Sequence, residues 1–352
     1  MGREKVLVQD EHYSNRLMTP GPLDKIDETL NLSLRPPSLN EYIGQNELRE
    51  KIRISIDAAK NRGEPLEHML FYGPPGLGKT TLAHIIANEM KTKVYVSSGP
   101  ALPRPGDLVG ILTSLNGGDV LFIDEIHRLP TVVEEYIYPA MEDFRVDFVL
   151  EKGVMARTMN LPLKRFTLIG ATTRAGSLSG ALRNRFGMFH MVDFYPVEDL
   201  EKIIQRSAIL LRTVIEPEAV REIACRSRGT PRIANRLLRR VRDYAQVKSD
   251  GVITAELSRA ALSMEGIDDL GLDELDRKYL RVIIDHYKGG PVGIETIGAT
   301  LNEECDTLED MVEPFLMKIG FIQRTSRGRK VTGKTCRHLG LKPNVLSQER
   351  LF

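Results

Sequence analysis

The sequence predicts an α/β protein: a parallel sheet interleaved with helices, then a small helical domain, then three helices finished by a β-ribbon. Three observations carry this. Four apolar runs, Met69–Tyr72, Val94–Ser98, Asp119–Ile123 and Phe166–Ala171, alternate with helical stretches, the pattern of parallel strands buried on both faces. A turn rich in Gly and Pro joins the first run directly to a helix. Past Tyr195-Pro196 the strand pattern stops, and helical periodicity persists until a short extended pair, 320–324 and 329–331.

Composition narrows the class before any element is read. At 352 residues the chain has room for two or three domains, and with 41% hydrophobic and 28% charged residues it reads as soluble and globular. A net charge of +1 requires that any basic surface be local. Cys225, Cys305 and Cys336 are scattered without metal-ligand spacing, which argues against a zinc site or a disulfide framework. No apolar run approaches spanning length, and Met1–Asp10 lacks the apolar core of a signal peptide, so a cytoplasmic protein is expected.

Residues 1–33 are polar, contain Thr19-Pro20-Gly21-Pro22 and show no sustained period, so a flexible extension is expected there. From Leu34-Arg35-Pro36-Pro37 the chain leads into a helix with Leu48, Ile52, Ile56 and Ala59 on one face, ending near Gly63. Spacing leaves open whether its apolar groups floor a purine base. Next comes Gly73-Pro74-Pro75-Gly76-Leu77-Gly78-Lys79-Thr80-Thr81 between a strand and a helix, the complete Walker A spacing. Gly76 and Gly78 suit positive φ and close backbone approach to phosphates. Lys79 suits the β/γ oxygens, Thr80 suits Mg²⁺, and the helix N-terminus favours a polyanion.

The third strand ends in Asp124-Glu125, the Walker B position. Asp124 is expected to hold Mg²⁺, and Glu125 to orient or deprotonate the water that attacks the γ-phosphate. His127 completes no metal or nucleophile set and is read as structural. β-rich runs on either side of Glu151-Lys152-Gly153 read as a hairpin with Leu150, Val154 and Met155 near its tip, either packed on its own domain or docking a partner. The fourth strand ends in Thr172-Thr173-Arg174, hydroxyls at the same sheet edge as Asp124. Arg183 and Arg185 stand at a helix end, where an arginine reaching across a subunit boundary would stabilise transition-state charge; spacing does not decide between them.

Residues 198 to about 265 read as helices. Thr230 is placed as an N-cap and Pro231 at the first helical position, so Arg232 falls in the opening turn and can face phosphate. Beyond Gly266 a third unit carries helical faces 275–287, 294–301 and 308–316, then the ribbon around Thr325-Ser326-Arg327-Gly328. Three helices and a ribbon resemble a winged helix. The ribbon bears Arg324, Arg327, Arg329 and Lys330, with no acid between Pro314 and Gln348, and this points to phosphate-backbone binding.

With these residues in view, the chain from about Leu34 to Leu341 resembles the RuvB family, AAA+ motors of bacterial Holliday-junction branch migration. The resemblance rests on Tyr72–Thr81, Phe122–Leu129, Leu168–Leu178, Arg185-Phe186-Gly187 and Gly229-Thr230-Pro231-Arg232. Walker motifs are widely shared; the 172–178 run, the hairpin and the terminal winged helix together are specific. The resemblance implies an AAA+ P-loop ATPase core at 34–195, a small helical lid at 196–267, a winged-helix head at 268–342 and a tail at 343–352. It implies ATP and Mg²⁺, a homo-hexamer, double-stranded DNA and Holliday junctions, and the partners RuvA and RuvC. It places nucleotide at Leu34, Arg35, Gly76, Lys79, Thr80, Thr81, Glu142, Asp143, Phe144, Tyr195 and Arg232. Arg185 is implied as the arginine finger, and Arg324 and Arg329 as DNA contacts. Together with the Walker reading, the catalytic set is Lys79, Asp124, Glu125, Thr173 and Arg185, and the metal ligands are Thr80 and Asp124. The hairpin tip, Leu150–Met155, departs from the family pattern. A clamp-loader-like subunit and a nucleotide-gated DNA-binding switch are the alternatives, the second weakened by the complete set of Walker acids.

Overall fold

The computed structural model describes residues 17–18, 33–149 and 158–341. The expected flexible extension, the hairpin tip and the tail therefore fall almost wholly outside the described residues. The chain forms two compact units, one of Arg35–Asp193 and one of Phe194–Phe352 together with Met1–Leu34.

The first unit contains seven described strands: β1 Met69–Tyr72, β2 Val94–Ser98, β3 Val120–Asp124, β4 Arg145–Val149, β5 Thr158–Pro162, β6 Thr167–Thr172 and β7 Met188–Met191. Five of them form a parallel sheet in the order β2-β3-β6-β1-β7. The central strands are near-continuous apolar runs because helices cover both faces; β6 is buried at every position. Leu70, Leu121, Ile123 and Leu168 pack with Ile137 and Met141. The sheet has one strand more than the four expected. β7 lies outside β1 at the edge, leaving Phe189 and Met191 exposed, so it lacks the apolar signature of its neighbours. The helix Thr131–Glu142 is a further element beyond those expected, and Pro139 inside it masks the helical signal. The hairpin pairs β4 with β5 in antiparallel register, Arg145 facing Pro162.

In the second unit the helices Val197–Leu210, Pro217–Arg226, Pro231–Lys248 and Ala255–Met264 come first. Pro231 takes the first helical position as expected, but Thr230 caps through its backbone position only, with no side-chain bond to the first turn. The remaining helices begin with Glu274–Arg281, which opens on a reciprocal capping box between Asp273 and Asp276. Arg228 is buried and donates through Nε to Gly271 O at 2.7 Å and through Nη2 to Asp276, tying the two helical segments of this unit together. The ribbon pairs β8 (Ile322–Thr325) with β9 (Gly328–Val331), and Val292 bridges Arg329 on the outer side of β9. Leu17 and Met18 are buried, and the Leu17 carbonyl accepts from Arg236 Nη1 at 2.7 Å.

Candidate functional site

The phosphate cradle is a product of local backbone chemistry. Gly73 has φ +141°, and a Cβ there would lie 2.1 Å from Val192 O, so only glycine lets the loop pass the end of β7. Gly78 caps the helix Lys79–Met90 in the left-handed region, leaving the first-turn N–H groups to face an anion. Lys79 is buried, and its Nζ donates to Gly73 O at 2.7 Å and Pro74 O at 2.9 Å, which holds the ammonium across the loop. Thr80 and Thr81 are half-buried in the same turn. The segment after Leu34 lies along this helix: Leu39 N donates to Glu89 Oε1 at 3.1 Å and Asn88 Nδ2 to Pro37 O at 3.2 Å. Burial and the nearby Arg35 guanidinium hold the His84 imidazole below its ordinary value, which brings Arg35 to the cradle helix.

At the carboxyl end of β3 the Asp124 Oδ1 accepts from Glu125 N at 3.0 Å, and Glu125 takes a left-handed backbone, φ 45°. Glu125 Oε2 accepts from Thr173 Oγ1 at 3.2 Å. Thr172 Oγ1 instead shares a 2.8 Å hydrogen bond with His127 Nδ1 and is fully buried. The two hydroxyls, indistinguishable by spacing, are thus separated: Thr173 meets the acid, Thr172 faces the core. His127, read as structural, also stands with Nδ1 3.2 Å from Glu125 Oε2, beside the same carboxylate. The donor set fits Mg²⁺: a hydroxyl in the cradle and a carboxylate at the strand end are hard oxygen ligands, few enough to leave room for phosphate oxygens. Among the described residues no cluster of three or more His, Cys, Asp or Glu forms a cage of its own.

Arg185 follows the short helix Gly180–Arg183. Its Nη2 donates to Glu142 Oε2 at 3.2 Å, its Nη1 to Ala181 O at 2.7 Å, and its guanidinium carbon lies 4.3 Å from the centre of the Tyr138 ring. Arg183 is exposed and lies against Phe189. The packing therefore joins Arg185 to Glu142, two residues that the resemblance names separately. Asp143 pairs with Arg145 at 3.1 Å, while Phe144 packs edge-on against Phe166. His68 braces this region: it accepts from Leu168 N at 2.9 Å through Nδ1, so Nε2 carries the proton and donates to Met141 O at 3.1 Å.

In the second unit, the Leu34 carbonyl accepts from Arg206 Nη1 at 2.8 Å. Tyr195 is buried, and its N–H donates to Gly229 O at 2.8 Å. Arg232 is half-buried in the first turn of its helix. On the ribbon, Arg324 and Arg329 face each other across β8 and β9. The sequence shows no acid between Pro314 and Gln348, but the preceding helical run supplies two. Arg324 Nε donates to Glu313 Oε2 at 2.5 Å, Arg329 Nε to Glu313 Oε1 at 2.8 Å, and Arg329 Nη2 to Glu309. The spacing of Glu309 and Glu313 on one helical face is the signal that points to them.

Comparison with known proteins places this geometry in a family. Residues 34–192 match the family model of the Holliday junction DNA helicase RuvB P-loop domain. Residues 195–268 match the RuvB AAA lid domain, and 269–340 the RuvB C-terminal winged helix domain. The chain is similar to the Holliday junction branch migration complex subunit RuvB of Desulfosudis oleivorans, with 60% identity over 309 residues, 88% of this chain and 90% of that protein. Among solved structures it is similar to the Thermotoga maritima RuvB Holliday junction branch migration motor, with TM-score 0.81 and 51% identity over 88% of this chain and 99% of that one.

Proposed function

The chain belongs to the RuvB family, and from that premise we propose how its own residues work as an ATP-hydrolysing motor of Holliday junction branch migration. The Glu125–Thr173 hydrogen bond beside the Walker A cradle carries the mechanistic reading. Gly76, Lys79, Thr80 and Thr81 bind the nucleotide phosphates, and Leu34, Arg35, Tyr195 and Arg232 contribute further contacts. Thr80 and Asp124 would hold Mg²⁺, which when bound neutralises charge on the phosphate oxygens. Glu125 orients the attacking water and accepts its proton, and Thr173 keeps that carboxylate at the end of the sheet where β3 and β6 lie side by side. Arg185, with Glu142, Asp143 and Phe144 beside it, serves the nucleotide of a neighbouring copy in a hexameric ring. This links hydrolysis to assembly.

The wing contacts duplex DNA through Arg324 and Arg329. RuvA engages the hairpin of β4 and β5, and RuvC acts on the same junctions, in the cytoplasm. ATP-dependent dissociation of a synthetic four-way junction, measured with and without RuvA, tests the whole reading. Dissociation that requires ATP and rises with RuvA is expected. ATP turnover with no dissociation under either condition would favour a clamp-loader-like role.

A further inference from the structure

Glu313 is fully buried, yet it is a carboxylate at the base of the basic ribbon. Burying an ion costs several kcal/mol unless partners compensate, so its surroundings must be read as a set. Oε1 accepts from the Tyr279 hydroxyl at 2.6 Å and from Arg329 Nε at 2.8 Å. Oε2 accepts from Arg324 Nε and lies 2.5 Å from Arg324 Nη2, a fork against one oxygen. Glu309, one turn earlier, takes Arg329 Nη2.

The result is asymmetric. Arg324 commits its Nε–Nη2 edge to Glu313 and keeps 44% of its side chain exposed. Arg329, bonded closely to both acids, keeps 14%, whereas Arg324 meets Glu309 only at 3.9 Å. Burial and the adjacent Glu313 raise the Tyr279 hydroxyl well above its ordinary value, so it remains a donor.

We propose that Glu313 is a positioning residue for DNA binding: through its two carboxylate oxygens it aims the Arg324 guanidinium outward from the wing and anchors Arg329 beneath it. The proposal rests on the reading that the wing binds the DNA backbone. It assigns unequal tasks to the two arginines that contact DNA: Arg324, the more exposed, leads in meeting phosphate, and Arg329 in addition supports the fork that Arg324 leans on. Charge and geometry at Glu313 act on DNA binding with opposite signs. Removing the Glu313 charge makes the wing more positive, which by charge alone strengthens DNA binding. Removing the fork leaves Arg324 only its 3.9 Å ion pair with Glu309, which loosens its aim and weakens binding.

The test is fluorescence anisotropy of a labelled four-way junction against the full chain, for Glu313→Gln, Arg324→Ala and the double variant, with unstimulated ATP hydrolysis and thermal unfolding measured alongside. Glu313→Gln should weaken binding about tenfold, the scale of one charged hydrogen bond. Arg324→Ala should weaken it comparably, and the double variant should bind like Arg324→Ala alone, because the acid acts through the arginine. Unchanged or tighter binding by Glu313→Gln, or losses that multiply in the double variant, overturns the proposal. If Glu313→Gln lowers the unfolding temperature enough to obscure binding, Tyr279→Phe deletes one bond to Glu313 without changing charge. A smaller loss that again disappears in the Arg324→Ala background supports the proposal; no loss overturns it. Arg324→Ala alone binding like the parent also overturns the proposal, whereas no loss on replacing Arg324 and Arg329 together by Ala would instead overturn the reading of the wing as the DNA-binding element.

Discussion

Thr173 Oγ1 donates to Glu125 Oε2 at 3.2 Å, so the end of β6 holds the acid that follows β3. The adjacent Thr172 is bonded to His127 and does not compete for it. Thr173→Val keeps the shape of the side chain and removes the donor. It should lower the turnover number about tenfold or more while leaving ATP affinity within about twofold, since a mispositioned base affects the chemical step rather than binding. A single-turnover assay beside equilibrium nucleotide binding checks this; an affinity loss with normal turnover would contradict it.

Glu125→Gln should retain ATP binding and lose hydrolysis by about 10²-fold or more, the usual contribution of a general base. Lys79→Ala should weaken binding itself, because its ammonium supplies charge to the phosphates. Normal turnover in Glu125→Gln would remove Glu125 from the catalytic role.

Arg185→Ala subunits should bind ATP but not hydrolyse it. Mixed with Lys79→Ala subunits, they should recover part of the activity, since an interface can combine an intact cradle with an intact arginine. Absence of recovery in rings shown to co-assemble would count against action across a subunit boundary.

Replacing Arg324 and Arg329 together by Ala should weaken binding to unrelated DNA sequences about equally. The log–log salt slope should fall by about one unit for each phosphate no longer neutralised. Titrations over a range of salt on two unrelated duplexes check both points, and hydrolysis without DNA should persist. Loss confined to one sequence would indicate base readout.

Burial holds the imidazoles of His68, His84 and His190 below their ordinary value, and all three lie in the Arg35–Asp193 unit. Between the folded and unfolded values the unfolded chain binds more protons, so stability rises with pH there. The unit should therefore lose stability as pH falls through about 6.5, the unfolded imidazole value. Denaturant midpoints at several pH values measure this, and His68→Gln should flatten the dependence.

The features legible in the amino-acid order are those that short stretches dictate. Gly76, Gly78 and Lys79 form a cradle because strand, turn and helix follow one another without a break, and positive φ at the glycines is a local demand. Asp124 and Glu125 are legible for the same reason: an apolar strand has one carboxyl end, and its last residues stand there. The winged-helix pattern is readable from apolar spacing, whereas β7 is not, since an edge strand with exposed Phe189 and Met191 loses that signal.

Which side chains meet is settled by packing. Thr173 and Glu125 are 48 residues apart, and adjacency of β3 and β6 is what selects Thr173 over Thr172. Arg185 and Glu142 are 43 apart and are joined by packing against Tyr138. The wing that reads as free of acids is built over Glu309 and Glu313, because the ribbon folds back on the helical run that precedes it. Backbone conformation responds to neighbours along the chain, but the partners of a charge are set by distances in space, and those follow from how the elements pack.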